Sequence, residues 1–283
     1  MLQSRRIATI QTLIGLIFLI ISPTFAAIEN LKISAPSLVF SNRTIIATPK
    51  SFDRNRPERY PVILMLHGWS GDETQWYQDA PLQKMADTYN ILLVLPDGGY
   101  DGWWSDSKLR PSRNYETHIV KELLPYLEEN YNATQSKNQR GLTGFSMGGY
   151  GSVALLLRNP DVFCAAASLS GIMDIIAHGT QWGLLQTFGD QSTGLPEWQA
   201  NNPLDLINRL PGRKLPPIFL ICGSEDFAYQ ENVAMAERLN KKGADFLFLF
   251  PPGTHSHPFW QENIGEAVKF LVLNFKSDKR ALR

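Results

Sequence analysis

The sequence predicts an α/β fold with a mostly parallel central sheet and helices on both faces. Two patterns indicate it. Short apolar runs recur along the chain and alternate with amphipathic stretches of helical length. The apolar runs also lack polar alternation, which is typical of strands covered on both faces. Strands that alternate with helices favour parallel pairing through right-handed crossovers.

The elements follow one another without a repeat, linker or low-complexity tract between residues 28 and 275. An early antiparallel strand is expected over 38–48. The buried strands are predicted at Val62–Leu66, Ile91–Leu95, Cys164–Leu169, Ile218–Cys222 and Phe246–Phe250. The helices are predicted at Leu82–Thr88, Tyr115–Glu129, Met147–Arg158, Asn232–Lys241 and Gln261–Asn274.

The chain's size and charge limit its partners. It has 283 residues, with 27 Lys and Arg against 27 Asp and Glu. This length fits one large globular domain. A neutral balance without a basic run argues against nucleic-acid binding. We therefore expect a small or uncharged partner.

The first 26 residues have the pattern of an export signal. Arg5 and Arg6 precede an apolar run over Leu13–Ile21, and small residues stand at Thr24 and Ala26. Cleavage after Ala26 would leave a mature domain over 27–283, secreted or periplasmic and without stable membrane insertion. An uncleaved membrane anchor is the alternative, although the apolar run is short for a span.

The two cysteines, Cys164 and Cys222, invite a disulfide in an exported protein. However, Cys164 opens one predicted strand and Cys222 closes another. In parallel neighbouring strands they lie at opposite ends, beyond the reach of an S–S bond. Two free, buried thiols are expected.

Five loops with unusual residues are expected at the ends of strands: 67–69, 97–99, 144–146, 223–226 and 253–255. Ligands of open α/β sheets gather beyond the carboxyl ends of the strands. These loops therefore predict one cleft.

The stretch Thr143–Ser152, TGFSMGGYGS, surrounds one serine with glycines. Gly144-Phe145-Ser146-Met147-Gly148 matches the G-x-S-x-G nucleophile elbow, a tight strand-to-helix turn that exposes the serine. Small residues are needed there because neighbouring backbone passes close. Ser146 is the predicted nucleophile.

A serine nucleophile needs a general base, which in turn needs an acid to orient it. His118 and His178 are expected on the surface, and His67 is expected to pack and shape its turn. His255 and His257 follow the last strand, where the order Ser, Asp or Glu, His places the base. His255 is preferred because Gly253 gives a flexible approach, whereas Pro258 stiffens His257.

The acid is expected in the loop after the strand over 218–222. Asp226 is chosen, Glu225 could also reach the imidazole, and Asp205 is a more distant candidate. The expected oxyanion donors are the backbone N–H groups of Met147 and Trp69. Four aromatic residues are expected to ring the cleft and bind substrate: Trp69, Trp103, Trp104 and Tyr150. Their alternative role is to cover the sheet edge.

The chain resembles the esterase branch of the α/β-hydrolases, which includes S-formylglutathione hydrolase (esterase D), tributyrin and feruloyl esterases, and mycolyltransferases. The likeness covers roughly residues 35–275. It depends on blocks at Leu64–Trp76, Leu95–Asp106, Tyr115–Tyr131, Gly144–Phe163, Ser168–Asp174, Pro216–Phe227 and Gly253–Trp260. The resemblance implies Ser146 as nucleophile, Asp226 as acid and His255 as base. His257 departs from the family by standing where tryptophan is usual.

The resemblance implies a cofactor-free and metal-free serine esterase that works through an acyl-enzyme. Export disfavours the thiol substrates of the cytosol, so short-chain or carbohydrate-linked esters of the acetyl or feruloyl type are expected. Acyl transfer to a sugar or alcohol is the alternative enzyme activity. A non-catalytic hydrolase-like binding module is the non-enzyme alternative, although none of the three predicted catalytic residues is lost.

Overall fold

The computed structural model of the chain describes residues 28–38, 41–211 and 214–276. The predicted signal over 1–26 lies outside the described residues and stays a prediction. In the part of the chain that is described, no helix combines the length and apolarity needed to cross a membrane.

The described residues form one eight-stranded sheet in the order β1-β2-β4-β3-β5-β6-β7-β8. The strands are β1 Ile28–Ser34, β2 Ser41–Ala47, β3 Val62–Leu66, β4 Leu92–Pro96, β5 Arg140–Phe145, β6 Ala165–Leu169, β7 Ile218–Ile221 and β8 Phe246–Leu249. β2 is antiparallel to both neighbours, and the pairs from β4 to β8 are parallel. The predicted mostly parallel sheet is confirmed.

Helices cover both faces of this sheet, as predicted. The α-helices are α1 Gln75–Asp79, α2 Leu82–Tyr89, α3 Tyr115–Thr117, α4 Leu124–Asn130, α5 Met147–Arg158, α6 Ile175–His178, α7 Leu184–Phe188, α8 Gln191–Asn201, α9 Pro203–Leu206, α10 Tyr229–Lys241 and α11 His257–Asn274. A π-helical stretch, His118–Leu123, joins α3 to α4. One apolar core packs α4, α5 and α10 on the first face, and a second packs α1, α2 and α11 on the other.

Two strands were missed by the sequence patterns, and one strand departs from them. β1 was not predicted, and neither was β5, whose sequence RGLTGF has two glycines and no continuous apolar run. β5 is nevertheless buried throughout, between β3 and β6. β8 is not covered on both faces as predicted, because it is the edge strand and leaves Leu247 52% exposed.

Helix α11 begins at His257, four residues before the predicted start. Pro258 lies in its first turn, where a missing N–H costs no intrahelical hydrogen bond.

The cysteine prediction is mostly confirmed. Cys164 and Cys222 are both free, and Cys222 is buried. Cys164 is only partly buried, because it precedes β6 rather than lying within it.

The expectation that His118 lies on the surface is wrong. Its side chain is 1% exposed, and Nδ1 lies 2.8 Å from Glu122 Oε2. Ser37 donates to the same carboxylate from its backbone N–H and from Oγ, each at 2.9 Å. His118 therefore helps to attach the segment before β2 to the helical layer.

Candidate active site

Ser146 stands at the junction between β5 and α5. It has φ 54° and ψ −119°, a backbone conformation that non-glycine residues rarely adopt. Its N–H donates to Leu169 O at the end of β6, at 3.0 Å. The turn therefore holds the serine in a strained conformation at the carboxyl edge of the sheet.

The glycines around Ser146 are required by close backbone contacts. A Cβ atom on Gly148 would lie 2.0 Å from Leu66 O, and one on Gly144 would lie 2.6 Å from the same oxygen. A Cβ on Gly149 would lie 2.7 Å from Gly171 Cα. A side chain at Gly144 or Gly148 would force β3, β5 and α5 apart, and one at Gly149 would push α5 away from the end of β6, which explains the glycine-rich sequence.

His255 lies in the loop between β8 and α11 and reaches the serine. Its Nε2 lies 2.9 Å from Ser146 Oγ. The side chain is 18% exposed, so one edge of the imidazole is open to solvent. The phenyl ring of Phe227 covers it, with ring centroids 4.4 Å apart.

Asp226, in the loop after β7, bonds to the other imidazole nitrogen. His255 Nδ1 lies 2.9 Å from Asp226 Oδ1 and 3.0 Å from Oδ2. The carboxylate side chain has no exposed area, and it also accepts the Ala228 N–H at 2.8 Å. A proton on Nδ1 directed at this carboxylate leaves the Nε2 lone pair free to accept the serine proton.

The other acidic candidates lie elsewhere. Glu225 is exposed, and Asp205 accepts a hydrogen bond from Asn202 Nδ2 at 2.9 Å on α9. The three residues predicted as nucleophile, base and acid are therefore brought together, and the alternative acids are not.

A tight set of hydrogen bonds shapes the loop after β3, where Trp69 was predicted as an oxyanion donor. Gly68 N–H donates to Gln75 Oε1 at 3.0 Å. His67 Nδ1 lies 2.8 Å from Gly68 O, and Gly98 N–H donates to His67 Nε2 at 2.7 Å. The tautomer with a proton on Nδ1 satisfies both contacts. His67 is 1% exposed, as its predicted packing role requires.

The second predicted oxyanion donor, Met147 N–H, belongs to the first residue of α5. The first N–H groups of a helix have no intrahelical acceptor, and a helix N-terminus favours negative charge. For the described residues, no backbone hydrogen bond is found from the N–H of either Met147 or Trp69. Both are free to serve an added oxygen.

Asp97 anchors the neighbouring loop, which carries Gly98. Its carboxylate accepts bonds from Arg43 Nη2 at 3.0 Å and from Gly99 N–H at 2.8 Å. Burial alone would raise the pKa of Asp97. The Gly99 N–H and the Arg43 guanidinium donate to the carboxylate and outweigh this effect, so the pKa is lowered to about 2.

A cavity of about 240 Å³ opens beside Ser146. Its lining residues are Gly68, Trp69, Ser70, Gln75, Trp103, Phe145, Ser146, Ile172, Trp182, Phe227, His255, His257 and Trp260. Phe145 and Trp260 stack at 4.1 Å behind the serine. Among the described lining residues there is no Asp, Glu, Lys or Arg.

Two of the four aromatic residues predicted at the cleft line it, and two do not. Trp69 and Trp103 contribute to the cavity. Trp104 and Tyr150 are fully buried away from it, and that part of the prediction is wrong. Tyr150 points from α5 into the core and donates to Asn201 O at 3.0 Å, while Trp104 packs on His67 with ring centroids 5.0 Å apart.

Sequence reasoning also missed several residues of the cavity. Trp182 lies in a short 3₁₀ turn, Gln181–Gly183, between α6 and α7. Phe227 directly follows Asp226 and could have been found by that adjacency. His178, expected on the surface, is only 17% exposed and packs beside Trp182. Gln75 carries no sequence signal that indicates its place.

No group of three or more His, Cys, Asp or Glu residues that could hold a metal is found within the described ranges.

Comparison with known proteins places these features in a family. A family model described as "Putative esterase" matches residues 40–271. Esterase Rv1288 of Mycobacterium tuberculosis is 28% identical over 187 residues, which is 60% of this chain and 40% of that protein. The chain thus spans less than half the length of this curated relative. An acetyl esterase of Caldicellulosiruptor saccharolyticus is 23% identical over 227 residues, 76% of this chain and 84% of the relative.

Solved structures share the fold. FphF, a fluorophosphonate-binding serine hydrolase of Staphylococcus aureus, superimposes with a TM-score of 0.77 at 19% identity, covering 87% of this chain and 98% of its own. A ferulic acid esterase gives a TM-score of 0.75 at 22% identity, covering 88% and 98%. The family match covers most of the chain and agrees with the elbow, the strand order and the loops described above. The chain belongs to the putative esterase family of the α/β-hydrolases.

Proposed function

We propose that this chain is a serine carboxylesterase with Ser146 as nucleophile, His255 as general base and Asp226 as the acid that orients it. The observation that carries the proposal is the continuous hydrogen-bond chain from Ser146 Oγ through His255 to Asp226 at the wall of a cavity. Family membership supports the same activity.

The proposed reaction is a two-step acyl transfer. Ser146 Oγ attacks the ester carbonyl while His255 Nε2 accepts its proton. The resulting oxyanion is held by the Met147 and Trp69 N–H groups, at the positive end of α5. His255 then protonates the departing alcohol, and the acyl-enzyme forms. A water molecule deprotonated by His255 attacks this ester and releases the acid.

The cavity supports a neutral substrate of modest size. Its aromatic side chains suit apolar or planar groups, and it presents no charged Asp, Glu, Lys or Arg among its described lining residues. We propose short-chain or carbohydrate-linked esters, of the acetyl or feruloyl type. Similarity to an acetyl esterase and to a ferulic acid esterase fold supports this class.

We further propose that the protein works outside the cytoplasm after removal of residues 1–26. Support comes from the sequence pattern alone: Arg5 and Arg6, the apolar run and the small residues before Ala27. N-terminal sequencing of the protein recovered from its host would test this. A mature chain that begins at Ala27 is expected, and a retained apolar segment would contradict the proposal.

The substrate proposal is tested with p-nitrophenyl acyl esters of rising length, methyl ferulate and acetylated xylan. Turnover of short esters that is lost in Ser146→Ala is expected. An added alcohol acceptor should not outcompete water; preferential transfer to the alcohol would instead identify an acyltransferase. Lack of turnover of every ester by a folded wild-type protein would contradict the proposed activity.

A further inference from the structure

His178 and Glu231 form a partly buried pair behind one wall of the cavity. His178 Nε2 lies 3.0 Å from Glu231 Oε1, and the two side chains are 17% and 11% exposed. Glu231 belongs to the 13-residue helix α10, and its other oxygen accepts the Asp174 N–H at 2.6 Å. The pair therefore attaches α6, together with Asp174 before it, to α10.

The imidazole of His178 packs against Trp182, which lines the cavity. Their ring centroids are 4.7 Å apart, and His178 also meets the Phe227 ring at 6.3 Å. Trp182 and Phe227 lie 5.6 Å from each other, and Phe227 covers the ring of His255. This aromatic wall, defined here as Trp182 and Phe227, is thus backed by His178.

The turn that carries Trp182 does not hold its conformation by local preference. Trp182 has φ 51° and ψ 31°, a left-handed conformation that bulky residues avoid. It lies between Gly179 and Gly183, which also have positive φ. Contacts must therefore fix it. One is the bond from Trp103 Nε1 to Trp182 O at 2.9 Å, and another is the packing on His178.

We propose that His178, held by Glu231, is a positioning residue that fixes the aromatic wall and thereby sets the preference of the site for esters with a planar apolar group. The inference depends on the proposed esterase function. An ester with only small groups fills less of the cavity that Ser146 shares with Trp182, so we expect its turnover to depend less on the wall.

The test compares three esters: ethyl acetate, which has no aryl group; ethyl benzoate, with an aryl acyl group; and benzyl acetate, with an aryl alcohol. The two aryl esters distinguish which half of the substrate meets the wall. The variants are His178→Ala, His178→Gln, which keeps a donor for Glu231, and Trp182→Ala. His118→Ala is the matched control, because it removes a buried histidine that is also paired with a glutamate but lies away from the cavity.

For at least one aryl ester, kcat/KM relative to ethyl acetate should fall about tenfold in both Trp182→Ala and His178→Ala, mainly through KM. His178→Gln should recover most of that ratio. His118→Ala should leave the ratio unchanged even if its melting temperature drops. An equal loss on all three esters in His178→Ala, or an unchanged ratio there while Trp182→Ala alters it, would overturn the inference.

A binding measurement separates this inference from the proposed function. Calorimetric titration of Ser146→Ala with benzoate and with benzyl alcohol requires no turnover. Adding His178→Ala should weaken the binding of at least one of them about tenfold, and adding His118→Ala should not. If wild type hydrolyses no ester, the function fails but this result still decides the role of His178. Equal affinity with and without His178 would refute it.

Discussion

Ser146 Oγ and His255 Nε2 lie 2.9 Å apart, although 109 residues separate them in the chain. The contact exists because β5 and β8 end at the same edge of the sheet, so that the elbow after one meets the loop after the other. Asp226, after β7, completes the arrangement from the other side of the imidazole.

Ser146→Ala should abolish ester hydrolysis while leaving the fold intact. The three residues act as a unit, so we expect kcat to fall by about 10⁴-fold or more. Asp226→Asn should cost about 10⁴-fold, because the asparagine amide favours the wrong tautomer of His255. Kinetics with p-nitrophenyl acetate, with circular dichroism as the fold control, would measure this. Substantial turnover by a folded Ser146→Ala variant would discard the mechanism.

His255→Ala should be far more damaging than His257→Ala. His257 begins α11 at the cavity edge, where its ring packs on Phe145 and Trp260 with centroids 5.5 and 5.0 Å away. Loss of a triad base should cost about 10⁴-fold or more in kcat, whereas loss of this contact should cost no more than about tenfold. The two variants serve as controls for each other. The opposite ranking would overturn the assignment of the base.

Gln75→Met should lower kcat more than it raises KM. The methionine fills a similar volume, but its thioether sulfur is a much weaker acceptor for the Gly68 N–H, which Gln75 Oε1 accepts at 3.0 Å. The His67–Gly68 peptide would then lose its fixed orientation, and the Trp69 N–H that follows it would shift. A small displacement of an oxyanion donor can lower kcat about 10-fold to 100-fold.

Affinity for a boronic acid that mimics the tetrahedral intermediate should fall by a similar factor in Gln75→Met, while product binding changes little. Gln83→Met offers a matched control, because Gln83, on α2, donates to Thr48 O and does not line the cavity. Wild-type kcat in Gln75→Met would contradict a role in shaping the loop.

Both cysteines should resist alkylation in the native protein. Burial raises the pKa of Cys164 to about 11, and burial together with the Asp226 carboxylate raises the pKa of Cys222. At pH 7.5, roughly 1 in 3,000 Cys164 side chains is then a thiolate, the reactive form. Mass spectrometry after iodoacetamide treatment should show little labelling of the native protein. In about 6 M guanidinium, where the chain is unfolded, both cysteines should be labelled. Rapid labelling of the native chain would contradict this.

The sequence predicted the parallel sheet and the residues at strand ends because both follow from local patterns. A Gly-x-Ser-x-Gly turn, or an apolar run followed by an acidic loop, is visible within a few residues. β5 was missed as a strand because Gly141 and Gly144 replace the usual apolar side chains, and the space they leave is filled from elsewhere: a Cβ on Gly141 would meet Leu271 at 3.2 Å.

The cavity walls were predicted less well because they depend on contacts between distant segments. Trp104 and Tyr150 looked like surface aromatics of the cleft, but the helix and the loop that carry them turn both rings into the core. Trp182 reaches the cavity through a left-handed turn, and its carbonyl oxygen accepts a hydrogen bond from Trp103, 79 residues away in the chain. No local pattern contains that information.

Asp97→Asn should destabilise the protein at neutral pH, and the difference should disappear in acid. The native pKa of about 2 lies below the ordinary value of 3.8. A lowered pKa means that folding favours the ionised carboxylate. The stability that this carboxylate contributes is therefore complete above about pH 4 and is lost as the pH falls through about 2. The shift corresponds to about 2 kcal/mol in the free energy of unfolding.

Urea unfolding at pH 7, 5, 3 and 2 would measure this, with Asp161→Asn as the control. Asp161 is an almost fully exposed carboxylate paired with Lys137, so its variant should follow wild type at every pH. Asp97→Asn should also lower kcat modestly at pH 7. Asp97 anchors the loop whose Gly98 N–H donates to His67, and His67 in turn contacts Gly68 O beside Trp69. A stability gap that persists unchanged at pH 2 would show that the asparagine acts through packing rather than through the lost carboxylate charge.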